Sequence, residues 1–89
     1  MEFEWDENKR RATFERRGLD FDLADLFFDG RAIVHRASPQ NGEERIASTA
    51  FVNGSFLTIV WTRRNENIRV ISLRRSRVTE ERAYRSIHN

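Results

Sequence analysis

The chain has 89 residues, 38% of them hydrophobic and 34% charged, with a formal net charge of +2 and no cysteine. That length allows one modest core in one domain over residues 1–89, and the missing cysteines exclude disulfide staples and thiolate metal sites. No apolar run approaches the ~18 residues of a membrane span, and the first residues are acidic rather than a basic leader, so the expectation is a cytoplasmic protein with no membrane partner.

The net charge conceals a gradient. Residues 1–30 carry nine acids and five bases, residues 31–60 two acids and three bases, and residues 61–89 three acids and eight arginines. Lys9 is the only lysine among 16 basic residues. A GC-rich genome would account for the arginine bias but not for its segregation. Arginine's planar fork grips phosphate or carboxylate with two hydrogen bonds. A basic C-terminal third therefore points to nucleic acid or to an acidic protein.

Phe3-Glu4-Trp5 reads as a short apolar lead-in. Asp6 suits a helix N-cap, with Glu7 in the first turn, and Gly18 supplies a left-handed stop. This first helix would turn Trp5, Ala12 and Phe14 inward, with Lys9-Arg10-Arg11 on a solvated face. Asp20 suits a second N-cap, before a helix whose apolar face is Phe21, Ala24, Leu26, Phe27 and Phe28; Asp29-Gly30 ends it. Arg31–Arg36 reads as an edge strand. A loop holds Pro39, and a strand follows over Glu43–Val52. Asn53-Gly54 is a two-residue hairpin signal, and Ser55–Thr62 is the clearest strand. Arg63–Asn67 is a polar turn into Ile68–Ser76, a β-branched run placed at or near the centre of the sheet. Strict alternation along it puts Ile68, Val70, Ser72 and Arg74 on one face and Arg69, Ile71, Leu73 and Arg75 on the other. A last helix, capped by Ser76 or Thr79, runs to about Ile87. The expected class is α+β: two N-terminal helices, a four-stranded, mainly antiparallel sheet and a C-terminal helix.

Several pieces, taken in order, resemble the BrnT family of type II toxin–antitoxin toxins, small ribonucleases with a RelE-like fold. They are Phe3-Glu4-Trp5-Asp6, Lys9, Arg16, Gly18, Phe21, Phe28-Asp29, Gly42-Glu43-Glu44-Arg45, Trp61-Thr62-Arg63, Ile68–Arg75 and Glu80-Glu81-Arg82-Ala83-Tyr84. The resemblance covers about Phe3 to Tyr84. It implies a toxin that cleaves RNA and halts translation, and a BrnA-type antitoxin that neutralises it. It also implies that operator DNA is reached only through the toxin–antitoxin complex. The chain departs from the family at two positions. Arg17 stands where a His often precedes the glycine after the first helix, and Thr13 stands where an Asn often lies four residues earlier.

RNA cleavage without a metal requires a base for the 2′-hydroxyl, positive charge for the phosphorane and a proton for the leaving 5′-oxygen. Arg45, Arg69 and Arg75 are the candidates for the charge. Glu81, or Glu44, is a candidate base, and Tyr84 a candidate proton donor or orienter. Lys9, Arg63 and Arg74 are candidate RNA contacts, with Trp61 beside them as a stacking surface. His35 and His88 read as surface residues. With two distant histidines there is no metal-ligand spacing, and no cofactor is expected. Each arginine has an equally simple reading as a surface ion-pair partner of Glu43, Glu44, Glu80 or Glu81. The competing function is a binding module, either a nucleic-acid binder or an inactive toxin that serves only autoregulation. Phe27, Phe28 and Ile87 exceed what a small core needs and are candidates for an antitoxin-docking patch.

Overall fold

A computed structural model describes residues 2–88. Its elements are β1 (Phe3–Trp5), α1 (Glu7–Arg17), a 3-10 helix (Phe21–Phe27), β2 (Val34–Ala37), β3 (Ile46–Val52), β4 (Ser55–Arg64), β5 (Asn67–Arg75) and α2 (Val78–His88). The strands form one sheet in the order β1-β5-β4-β3-β2. All neighbours run antiparallel except β1, which lies parallel to β5 with Phe3 opposite Ile68 and Trp5 opposite Val70.

This corrects the expected four-stranded, mainly antiparallel sheet with two N-terminal helices. The apolar lead-in is a strand, so the sheet is five-stranded and mixed. β1 is only three residues long, too short for a period-2 pattern to register, and its partner lies at the other end of the chain. The second expected helix is of the 3-10 type. Its buried residues, Phe21, Ala24 and Phe27, are spaced by three, the row that a three-residue turn stacks on one side. Asp20 caps it by accepting from the Asp22 amide.

One face of the sheet carries the core. Ala50, Val52, Leu57, Ile59, Trp61, Ile68, Val70 and Leu73 meet Leu19 and the 3-10 helix there. Phe28 packs edge-on to Trp61 and tilted against Phe3, while Trp5 meets Phe21. Phe27 is buried and Phe28 half-buried, so neither forms the exposed patch expected of them. Ile87 is exposed.

β5 does not alternate as expected. Val60 pairs with Ser72 and Trp61 with Val70, which leaves Ile71 as the extra residue of a β-bulge. Leu73, not Ser72, therefore follows Val70 on the core face. Arg69, Ser72 and Arg74 pair with Thr62, Val60 and Thr58. These are alternate residues of β4, so Arg69 and Arg74 share the face opposite the core.

α1 has the expected ends. Asp6 accepts from the Asn8 and Lys9 amides, and Gly18 closes the helix at φ 69°. Yet α1 buries no residue, and Phe14 is exposed rather than turned inward. Polar contacts hold the helix at the β5 edge. α2 lies across the face opposite the core, over β3 and β2, where Tyr84 stacks on Phe56. Its first turn is not capped by Thr79 or Ser76. Glu80 reaches back to accept the Arg77 amide at 2.7 Å, the acidic half of a capping box, and Ser76 bonds Thr58 instead.

Candidate functional site

β1 covers the β5 edge only as far as Val70. Beyond it the chain must find other donors for the edge carbonyls. Arg17 supplies one, donating from Nη1 to the Leu73 carbonyl at 2.8 Å. Arg75 returns the contact by donating to the Arg17 carbonyl at 3.2 Å. α1 is thus fastened beside the bulge, and a pocket of about 160 Å³ opens between them, lined by Lys9, Ala12, Thr13, Arg16, Arg17, Ile71 and Ser72.

The pocket is cationic. Lys9, Arg16 and Arg17 line it, no carboxylate does, and among the described residues none of the three forms an ion pair. Thr13 and Ser72 add two hydroxyls. The bulge is what sets Ile71 beside Ser72 on its floor, since in a regular strand the two would face opposite ways. Thr13 and Arg17 both lie in this wall.

A second polar centre lies under α2. Glu80 is 6% exposed. It accepts a two-pronged contact from Arg74 (2.7 and 2.9 Å), one from Arg36 (2.7 Å) and one from the Thr58 hydroxyl (3.1 Å). Burial pushes the Glu80 carboxyl up, but Arg74, the Arg77 amide and Arg36 outweigh it and hold it at about 2. These contacts tie the buried Glu80 of α2 to the half-buried Arg74 of β5 and so fasten the helix to the sheet.

The expected site residues are dispersed. Lys9 lines the pocket, and Arg75 braces it through Arg17. Arg69 lies further along β5, bonded to Glu4 at 2.9 Å, and that bond holds Glu4 below the usual carboxylate range. Arg45 is taken by Glu43 and Gln40, and this contact lowers Glu43 in turn. Arg74 belongs to Glu80. Glu81 pairs with the exposed Arg85, and Tyr84 stacks between Phe56 and His88. Both sit on α2, away from the α1–β5 pocket. Arg63 pairs with Ile68 at the far end of β4, on the core side. Trp61 is a core residue, 5% exposed, with its indole N–H on the Ser48 hydroxyl at 2.8 Å. Its ring has no free face for a base, because burial wins over the stacking role. Arg16 and Ser72 went unnoticed as site residues. Arg16 was visible only among the residues that carry the family resemblance, and Ser72 only through a bulge.

Fold and pocket together define a small α+β protein with a cationic cleft at one edge of a mixed sheet. The comparison with known families narrows the class. The family model described as "Ribonuclease toxin, BrnT, of type II toxin-antitoxin system" matches residues 5–80, most of the chain. The chain belongs to the BrnT family of type II toxin–antitoxin ribonuclease toxins. A comparison with curated proteins finds no match.

Proposed function

We propose that this chain is an endoribonuclease that needs no metal, with the α1–β5 pocket as its phosphate-binding centre. Cleavage of RNA would stop translation in the cytoplasm, and a BrnA-type antitoxin would neutralise the toxin and link it to operator DNA. The observation that carries the reading is the convergence on one small pocket of Lys9, Arg16 and Arg17, none of which forms an ion pair among the described residues.

In the proposed reaction the 2′-hydroxyl passes its proton to solvent water and attacks phosphorus in line. The bond to the 5′-oxygen then breaks, leaving a 2′,3′-cyclic phosphate and a 5′-hydroxyl. Arg16 and Arg17 stabilise the charge on the non-bridging oxygens, for which a guanidinium is well shaped. Arginine does not give up its proton, so of the three cations only Lys9 can carry one, and it serves the leaving oxygen. Arg17 in place of a His exchanges a proton carrier for a fixed charge. Arg75 positions Arg17. RNA leaving the pocket past Ser72 would run onto the sheet face that bears Arg69.

The test is end-labelled RNA incubated with the purified chain in EDTA, beside Lys9→Ala and Arg16→Ala. Wild type should leave 2′,3′-cyclic ends, and each variant should lose about 10²–10³ in rate. A second reading rests on the bond between Arg17 and the Leu73 carbonyl, which gives that guanidinium a structural task. In it the chain binds RNA or antitoxin without cleaving. RNA retarded on a gel but left intact would establish that reading and reject the first.

A further inference from the structure

β2 is the outer strand of the sheet and pairs only with β3. The Ser38 amide donates to the Arg45 carbonyl, and Val34 and Arg36 stand opposite Thr49 and Ala47. In an antiparallel pair, bonded residues alternate. Val34, Arg36 and Ser38 therefore turn their backbone groups to β3, while Ile33, His35 and Ala37 turn theirs outward. The Ile33 carbonyl is taken by His88 Nε2 at 3.0 Å. Among the described residues no other backbone group meets His35 or Ala37 on that side.

Beside this edge, between β2 and α2, runs a groove of about 220 Å³ lined by Val34, Arg36, Thr49, Arg77, Thr79, Glu80 and Ala83. Its middle is apolar. Its mouth carries Arg77, which forms no ion pair among the described residues, and Arg36, whose side chain is half exposed. The lone carboxylate, Glu80, is buried and already satisfied. Ile87, one turn beyond Ala83 on α2, is 64% exposed.

We infer that the antitoxin docks by adding an extended segment to the β2 edge. Backbone groups of that segment bond His35 and Ala37. One apolar side chain covers Val34 and Ala83, and an acidic one meets Arg36 and Arg77. Strand addition of this kind takes affinity from the backbone and specificity from alternate side chains. Charge selects the occupant. A second copy of this chain would bring another Arg36 to the same edge with no free carboxylate to meet it, whereas an acidic segment is complementary. The inference rests on the type II toxin reading, and it places the antitoxin away from the α1–β5 pocket.

The test uses the full chain co-expressed with the antitoxin of its system. Ala37→Pro removes an outward amide while sparing the β3 ladder, and an edge strand tolerates proline. Arg77→Glu reverses the charge at the groove mouth. Each should weaken the complex at least tenfold in a titration while RNA cleavage by the free toxin stays unchanged. In the wild-type complex the His35 and Ala37 amides should gain protection from hydrogen exchange. A complex of undiminished affinity in both variants, with those amides unprotected, overturns the inference. Failure of the wild-type chain to form any complex overturns the inference and the antitoxin reading together.

Discussion

Replacing Glu80 by Gln keeps the shape of the side chain and removes its charge. In the folded protein that carboxyl is held at about 2 against an ordinary 4.5. At about 1.4 kcal/mol per tenfold change, this difference corresponds to about 3 kcal/mol of folding stability. The sign follows from the depressed value. The contribution is fully present above pH ~4.5 and is lost as pH falls toward about 2. An 89-residue chain has on the order of 4–13 kcal/mol in total, so the loss is a large share. Thermal and urea melts of wild type and Glu80→Gln at pH 7 should differ by about 3 kcal/mol, or roughly 12–24 °C in Tm. The two proteins should converge as the buffer is taken to about pH 2, because acid converts the wild type into the neutral form that the variant already has. Comparing the two curves removes the contribution of Asp29, which Arg31 holds at about 2, and of other exposed carboxylates. A Tm difference under about 4 °C at pH 7 would refute the reasoning, as would a difference that does not change with pH.

Other outcomes follow from the same geometry. Trp61→Phe should lose about 1–3 kcal/mol in a urea melt through the broken Ser48 bond and the void left behind, with RNA affinity unchanged in filter binding. Arg17→Ala should cut RNA cleavage at least tenfold, whereas Arg11→Ala, on the same helix but outside the pocket, should leave the rate as it is. Arg69→Ala should lower the slope of RNA affinity against salt by about one, the signature of a single lost phosphate contact. Gly54→Ala places a side chain at φ +83° and should cost about 1–2 kcal/mol in a thermal melt.

Local signals in the sequence proved dependable where one residue does one job. Asp6 and Asp20 cap, Gly18 stops α1, and Asn53-Gly54 turns the β3–β4 hairpin with both residues at positive φ. What depends on distant partners was not legible. A three-residue strand has no pattern of its own, and β1 exists because β5 is there to receive it. The bulge leaves only a trace, an apolar spacing of Ile68, Val70 and Leu73 in place of strict alternation. Glu80 and Glu81 look equivalent in sequence, yet the first turn of α2 buries one and leaves the other half-buried. For the phosphorane charge the sequence pointed to Arg45, Arg69 and Arg75, and of the cations that line the pocket only Lys9 stood among the candidate RNA contacts. Arg16 and Arg17 lie in the acidic N-terminal third, where nearby Asp and Glu conceal them in the charge count.

The Arg17–Leu73 contact joins residues 56 positions apart, and this separation sets a timetable for synthesis. A ribosome adding ~5–20 residues per second makes the α1 wall of the pocket roughly 3–11 s before the β5 wall. β1 waits as long for its only neighbour in the sheet. A chain released before β5 holds half a pocket and a sheet without its parallel edge. The pocket takes shape only once β5 has been made, because Ile71 and Ser72 form its floor and the Leu73 carbonyl holds Arg17.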